Sequence, residues 1–549
     1  DGGSSAEGAP PWPRGAWTSW SLRQGGAGGQ AADLFEEFRK SRGVEAISAS
    51  FVNLLCASAA VGAGAHGASS AEPPLDAIGP AVGQQRRLAR VLWERLNARR
   101  SSADYHGHPL GGQNAVVVGA GPVGLRCALE LQLLGADVAV LERRHGFDRI
   151  NRLHLWPWCG EDLKGWGAKV LEPPELSFGS DPDFLHIGIS ELQMLLFKAC
   201  LLLGVQVFFG TQYLGSRPAE ARGSAPPLWE VLTERCDAGA PGAAPGAPGP
   251  AAPGRLCGAS ILVGAYGPRG AVARAHGLEL VENAGLRREA ALGIVANFAN
   301  RQSAAEKRMR SFSLARQFYD QLFRDCEQAT GVSLENVVCY IGPQTHYFVM
   351  TPTRRSLQQA GVLGADTAEG SALASLDEAA LGRAARAICA FPWKPAQGPL
   401  PAETLDAPVG APSLFDFSKT RRAAGGLRVV EGAGGAGGEP ARMLVGLCGD
   451  ALIEPFWPEG LGIVRGFFAA LDLASAAKVW TETGDEREAA SHFETAYRQL
   501  KSLAAKTRQA VLRPDEQAYG LDPSTRYKFA SSEGSQSRAS SMPAIRVGR

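Results

Sequence analysis

The sequence predicts an α/β protein, with a doubly wound domain, a smaller β-sheet domain and a helical N-terminal lead-in. Three observations carry that expectation. A β-branched run, Ala115–Val118, is followed by Gly119, Gly121 and Gly124 at G-x-G-x-x-G spacing. A second apolar run closes on Gly449-Asp450 and leads through a Pro/Gly-rich turn into an apolar helical stretch. Between the two, from Gly293 to Thr351, strand-like and helix-like patterns alternate.

The 549 residues suffice for two or three domains with ample core. Lys plus Arg total 56 against 55 Asp plus Glu, a balance that argues for neither nucleic acid nor a membrane surface as a partner. The ten cysteines show no C-x-x-C pair and no zinc spacing, so they read as reduced thiols of a cytosolic protein, and no metal site is expected. No strongly apolar run approaches the roughly 18 residues of a membrane span. The weakly apolar stretch Ile47 to Ala65 reads as a helix followed by a loop.

Taken in order, residues 1–30 are Gly, Ser and Pro-rich and are expected to be disordered. Residues 31–110 read as helical, with amphipathic helices starting at Leu34 and running over Leu88–Arg99. The doubly wound domain is expected over 111–290. Within it, Ser190-Glu-Leu-Gln193 reads as a capping box opening a helix, and Val205–Phe209 as a strand. Residues 216–257, with their Ala-Pro-Gly repeats, read as a disordered insertion, and Ser260–Gly264 as a returning buried strand. The smaller domain is expected over 291–424, with strands at Ile294–Phe298, Val337–Tyr340 and Tyr347–Met350 and a helix over Leu314–Cys326. A glycine-rich loop is expected over 424–439, the second part of the doubly wound domain over 425–480 with a helix Ile463–Val479, a C-terminal helical region to 530, and a disordered tail over 531–549.

The glycine motif has a specific physical logic. Gly119 permits a tight turn, Gly121 lets backbone N–H groups approach a pyrophosphate, and Gly124 lets the following helix pack close to the sheet. The helix N-terminus then faces the anion. Glu142, about 20 residues on at the end of the Val138–Leu141 run, is placed to accept hydrogen bonds from a ribose. An acid there favours an unphosphorylated ribose, hence FAD or NAD rather than NADP at this turn. Arg143, Arg144, Arg149 and Arg152 follow directly and either neutralise the pyrophosphate or form a solvated basic loop. A Gly-Asp strand end such as Gly449-Asp450 is the second piece an FAD fold needs. Asp450 either meets the ribityl side of the cofactor or caps a turn, and the helix after Gly462 aims its positive end at a reduced flavin.

These residues carry a family resemblance. VVVGAGPVGLR, ERRHGFDRINRLHLWPW, ISELQMLLFKACLLLGVQV, GVSLENVVCYIGPQTHYFVM, GDALIEPFWPEGLGIVRGF and YGLDPSTRY together resemble the flavin monooxygenase domain of the MICAL proteins, from about Leu34 to Tyr527. The resemblance implies a fold like that of para-hydroxybenzoate hydroxylase, with a Rossmann-like FAD-binding domain and a smaller sheet domain over the flavin. It implies that NADPH reduces FAD, that O2 adds to form a flavin hydroperoxide, and that a methionine of actin is oxidised to the sulfoxide. It also implies that Glu142, Arg144, Arg149, Asn151, Asp450, Tyr213 and Tyr340 contact FAD, and that Trp457 is the aromatic beside flavin and substrate. Actin as partner implies a cytoplasmic, cytoskeleton-associated protein.

Four positions depart from the family pattern. Val123 stands for Cys, Ile150 for Asn, and Gly460-Leu461-Gly462 for Gly-Thr-Gly. Tyr266 stands for an Asp that in related hydroxylases helps bind both FAD and NADPH. The basic stretch Lys307-Arg308-Met309-Arg310 with Arg316 is either a solvated helix face or a surface for an acidic partner. Two rival functions stand beside methionine oxidation. One is a small-molecule aromatic hydroxylase of the same fold; the other is a flavoprotein that has lost catalysis and acts as a binding module.

Overall fold

The structure, a computed structural model, describes residues 12–13, 16, 30–62, 73–82, 86–149, 151–168, 185–219, 228–236, 250, 252–267, 270–282, 292–342, 344–364, 375–394, 398–417, 420–432, 440–455 and 460–503. The expected disordered ends, apart from a few of residues 1–30, and the Ala-Pro-Gly tract lie almost entirely outside these residues, as do Ile150 and Trp457.

Among the described residues the lead-in has four α-helices, α1 Ala31–Lys40, α2 Val44–Gly62, α3 Pro74–Val82 and α4 Arg87–Arg100. Their apolar faces converge on Phe35, Phe38, Ile47, Phe51, Leu54 and Ile78, all buried, with Phe35 edge-on to Trp93 at 5.4 Å between ring centroids.

Next come β1 Asn114–Val118, α5 Pro122–Leu133 and β2 Asp137–Leu141. A two-stranded antiparallel ribbon of β3 Arg152–Leu155 and β4 Leu185–Gly188 flanks α6 Pro157–Gly165. Then follow α7 Ile189–Leu203, β5 Gln206–Phe208, β6 Thr211–Pro218, β7 Trp229–Arg235, β8 Arg255–Ala259 and β9 Ile261–Gly264, with the short α8 Ala271–Ala275 and β10 Leu280–Glu282. After β11 Leu292–Ala299 and β12 Phe312–Ala315 come α9 Asp320–Thr330, β13 Leu334–Ile341, β14 Thr345–Pro352, α10 Arg354–Gln359, α11 Glu378–Ala390, α12 Ala402–Leu405 and β15 Ser413–Asp416. The last elements among the described residues are β16 Arg421–Ala423, β17 Leu427–Gly432, β18 Ala441–Leu447, α13 Gly462–Thr483 and α14 Glu486–Ser502.

The main sheet has the order β17-β18-β9-β1-β2-β5. All its pairings are parallel except β17 on β18. Its central strands β1, β2, β9 and β18 are mostly buried on both faces, as the near-continuous Val/Leu runs require. The sheet is doubly wound, and the late strand β18 returns beside β9 to complete it. The smaller domain is an antiparallel sheet ordered β12-β13-β14-β11-β15. One face packs on α9, α10 and α11 through Phe323, Leu357, Leu381 and Ile388. The other carries Val295, Tyr340 and Tyr347 in a separate cluster, Tyr340 and Tyr347 being direct cross-strand partners.

Several boundaries differ from expectation, each for a physical reason. The insertion placed at 216–257 contains the end of β6 and all of β7 and most of β8, because Trp229 and Val231 alternate into the core inside a Pro/Gly-rich window. The loop placed at 424–439 begins with β17, an edge strand whose glycines hide its Leu427 and Val429. The helix placed from Leu314 starts at Asp320, since Phe312 and Leu314 face inward at period two as an edge strand. The cap of α7 is Gly188 rather than Ser190, and the Glu191 carboxylate accepts the Gly188 N–H at 3.3 Å.

Beneath α5 lies a buried ion cluster. Arg126 donates to both Asp162 oxygens, at 2.9 and 3.2 Å, and to Glu130 at 2.7 Å. Arg99 of α4 donates to the same carboxylate at 2.9 Å and lies 4.0 Å from the Trp166 ring centroid. The Tyr105 hydroxyl donates to Glu130 at 2.9 Å. Burial opposes the Asp162 charge, yet the Arg126 and Arg99 guanidiniums hold its carboxyl down at about 2. Asp162→Ala leaves two buried guanidiniums without their shared counter-ion, so a loss of about 3–5 kcal/mol is expected in urea unfolding.

A candidate dinucleotide site between two parts of the main sheet

The turn after β1 is built by steric necessity. Gly119 has φ +111°, and a Cβ there would stand 2.6 Å from the Ala265 carbonyl oxygen at the tip of the neighbouring strand. A Cβ on Gly124 would stand 2.0 Å from the Gly119 carbonyl oxygen, so α5 crosses the turn as closely as backbone allows. Gly121 is different: a Cβ there would find nothing nearer than the Ala265 oxygen at 4.0 Å. It faces open space at the N-terminus of α5, whose Pro122 gives up no needed N–H.

Glu142 lies at the end of β2 with its carboxylate against this turn. One oxygen accepts the Ala120 N–H at 2.8 Å and the other the Arg144 N–H at 2.9 Å. Arg143, Arg144 and Arg149 are exposed beside it. Arg149 is near enough to Asp450, Asp148 and Glu142 for their charges to act on it.

The second part of the site comes from the end of β18. The turn at Gly449 has φ +61°, and the short helical turn Gly449–Ala451 presents Asp450. Burial pushes the Asp450 carboxyl up to about 6, with Arg149 pulling against the shift and Glu454 adding to it. Val123 fills the joint between the two parts. Its side chain is what a Cβ on Gly466 would meet at 2.2 Å and one on Gly449 at 3.1 Å. Gly460 has φ +67°, and Gly462 opens α13 against Pro455.

The remaining expected residues are distributed differently. Asn151 bonds the Tyr347 hydroxyl, and Arg152 donates to the Tyr340 hydroxyl at 2.9 Å while its guanidinium lies 4.2 Å from that ring's centroid. Both contacts fasten the β3–β4 ribbon to the smaller sheet. Tyr213 is buried in the three-stranded sheet of β6, β7 and β8, its hydroxyl near Ser216 and His276 at 3.4 and 3.3 Å. Tyr266, which adjoins the glycine turn, is near enough to act on it electrostatically. Tyr266, expected to stand in place of a carboxylate, has a hydroxyl that accepts the Ala273 N–H at 3.1 Å, capping α8. Two residues the motifs did not point to also act here. Gln193 of α7 donates to the Ala120 carbonyl at 2.9 Å, and Tyr347 faces Asn151. Neither has a local signal, because each acts across a long stretch of sequence.

The residues present fit FAD. An open helix N-terminus, an acid aimed at the turn, exposed arginines and a second, half-buried acid in the turn after β18 lie together at one end of the sheet. Such an arrangement defines a dinucleotide-binding α/β protein of the flavoprotein type.

Comparison with known proteins narrows the class. A family model described as "Mical, Rossman domain" matches residues 290–394. The chain is 36% identical over 446 residues to mouse (Mus musculus) F-actin-monooxygenase MICAL1, covering 80% of this chain and 39% of that one. It is 34% identical over 450 residues to zebrafish (Danio rerio) protein-methionine sulfoxide oxidase mical3a, covering 80% of this chain and 21% of that one. Among solved structures, p-nitrophenol 4-monooxygenase PnpA of Pseudomonas putida overlays at TM-score 0.45 with 16% identity, over 76% of this chain and 93% of that chain. The chain is related to the MICAL proteins, and it spans about two-fifths of the length of the MICAL1 relative.

Asp450 gives a pH-dependent test. Its folded carboxyl, at about 6 against an ordinary 3.8, favours the protonated form, so its contribution to stability is full below the unfolded value and is lost as pH rises through 6. Asp450→Asn is therefore expected to stabilise the cofactor-free protein at pH 8 by about 1–3 kcal/mol, with no gain at pH 4, read as paired denaturant curves. The same substitution is expected to weaken FAD binding.

Proposed function

We propose that this chain is the monooxygenase portion of a MICAL-type enzyme, which binds FAD, consumes NADPH and O2, and oxidises methionine side chains of a protein substrate, with actin as that substrate. The observation that carries this reading is the pairing of Glu142 at the glycine turn with Asp450 at the end of β18. It occurs in a chain similar to proteins named for F-actin monooxygenation and methionine sulfoxide formation.

In this reading the Gly121, Val123 and Gly124 N–H groups bind the pyrophosphate, with Arg143, Arg144 and Arg149 neutralising it. Glu142 holds the ribose, Asp450 the ribityl side, and the N-terminus of α13 after Gly460 and Gly462 faces the ring system. Asn151, Arg152, Tyr340 and Tyr347 hold the smaller sheet over that ring, and Trp457, outside the described residues, is the aromatic that the family resemblance assigns to the incoming methionine. Bound FAD supplies the redox chemistry, accepting a hydride from NADPH and activating O2 as an electrophilic oxygen donor. The protein's own task is to orient, to exclude water and to admit a thioether. A thioether sulfur carries no proton to remove, so the site needs no general base.

The basic turn supports a protein partner. Glu306, 2% exposed, accepts the backbone N–H groups of Arg301 and Ser303 and the Thr404 hydroxyl at 3.1, 2.8 and 2.8 Å, fixing the turn from inside. Arg301, Lys307 and Arg308 are thereby held outward and exposed, a surface suited to acidic groups. Arg316 is not part of it, being paired with Asp320 and Glu327. A cytoplasmic, cytoskeleton-associated location belongs to the same proposal; among the described residues no helix is long and apolar enough to cross a membrane.

One observation favours a second reading. With Tyr266 committed to α8, the tip of β9 offers no carboxylate, as in a flavoprotein that binds partners without turning over. Anaerobic mixing with NADPH separates the two. Bleaching of the flavin absorbance is expected, followed in air by mass gain on actin methionines; a flavin that stays yellow supports the binding module instead. Phenolic acids that stimulate NADPH consumption where actin does not would point to the aromatic hydroxylase. The double substitution Lys307→Glu/Arg308→Glu is expected to raise KM for actin several-fold at low ionic strength, while the anaerobic reduction rate stays unchanged.

A further inference from the structure

We infer that Gln193 is the positioning residue that aims the glycine turn at its ligand. The inference rests on the reading that this turn binds the pyrophosphate of FAD.

Gln193 lies in α7, 73 residues along the chain from Ala120, and its side chain is 6% exposed. Its Nε2 donates to the Ala120 carbonyl at 2.9 Å. In a trans peptide the C=O and the N–H across the C–N bond point in opposite directions, and no cis bond occurs among the described residues. Drawing the Ala120 carbonyl toward α7 therefore turns the Gly121 N–H away from α7. That N–H belongs to the glycine at the N-cap of α5, whose Cβ position has nothing nearer than the Ala265 oxygen at 4.0 Å.

The preceding peptide is fixed in the same manner by a different element. Glu142 accepts the Ala120 N–H at 2.8 Å, which sends the Gly119 carbonyl the opposite way, against Gly124. Two successive peptide planes are thus set, one by the acid of β2 and one by the amide of α7. Ala120 has only a methyl side chain and orients neither.

The amide is held for this purpose at a cost. Gln193 Oε1 is buried without a hydrogen-bond partner among the described residues, which a residue serving packing alone would not require. The helix that carries it is anchored independently. The Ile189 N–H donates to the Asn151 carbonyl at 2.9 Å, and Lys198 Nζ donates to the Arg39 and Ser41 carbonyls, each at 2.8 Å. A rigid α7 thus delivers one N–H to one carbonyl.

The test compares the wild type with Gln193→Met, which keeps length and loses the donor, and Gln193→Glu, which sets an acceptor against the carbonyl. Each is titrated with FAD, with ADP and with adenosine, which has no phosphate to meet the turn. Thermal unfolding of the cofactor-free proteins is followed in parallel. The expected result is a loss of about tenfold for FAD and ADP alike in Gln193→Met, a larger loss in Gln193→Glu, unchanged adenosine affinity, and unfolding temperatures close to wild type. Wild-type affinity for ADP in both variants would overturn the inference while leaving the cofactor reading intact. Adenosine weakened as much as ADP would also overturn it, by showing a general effect on the fold. A wild type that binds neither FAD nor ADP would overturn the cofactor reading and this inference with it.

Discussion

The structure depends on how closely α5 lies against its neighbours. At its start no side-chain atom separates it from the turn, because Gly124 sits on the Gly119 carbonyl. One residue earlier Val123 reaches the other way, into the space left by Gly449 and Gly466. Three glycines from distant parts of the sequence therefore let one helix touch β1, the end of β18 and α13 together. On its outer side Arg126 binds it to α6 and, through Asp162, to α4. The helical lead-in is thereby tied to the same helix that carries the glycine turn, and the two parts of the site share a single reference point.

The smaller sheet shows how one element serves two surroundings. Period-two alternation sends Phe348 and Met350 into the apolar core and Tyr347 to the opposite face, where it meets Asn151. His346 turns inward to Glu306, which fixes the basic turn, while Tyr340 turns outward to Arg152. The sheet therefore links a rigid exposed surface with the ribbon beside the cofactor margin. A partner docked on that turn would be tied to the site by a packed sheet.

What was legible in the sequence was what is local. Gly119, Gly121, Gly124 and Glu142 fall within one β-α-β unit, so spacing alone places them, and Asp450 follows from a strand pattern and the glycine before it. Central strands were legible as apolar runs. The edge strands β12 and β17 were not, since half their residues face solvent and their flanks are rich in turn formers. Side-chain contacts across the chain were hidden altogether. Gln193 acts over 73 residues, Arg126 on Asp162 over 36, and Arg152 on Tyr340 over 188. Gln193 looked like part of a helix cap, and Tyr266 like a missing acid rather than the cap of α8. Val123, noted in the sequence as standing for a family Cys, has its side chain in the joint between the two parts of the site.

Glu142 carries a kinetic consequence. Its two oxygens are already oriented by the Ala120 and Arg144 N–H groups, so the carboxylate and the turn are ordered by folding rather than by an arriving cofactor. The entropy of arranging them is spent before encounter, which favours a long residence time more than a fast arrival. Escape of a bound dinucleotide does not proceed by relaxing a soft loop, because the loop is fastened to β2 and α7. Under the proposed function, a dinucleotide held at this turn would have to leave a stretch of backbone already fastened from two sides, so retention through dilution is expected.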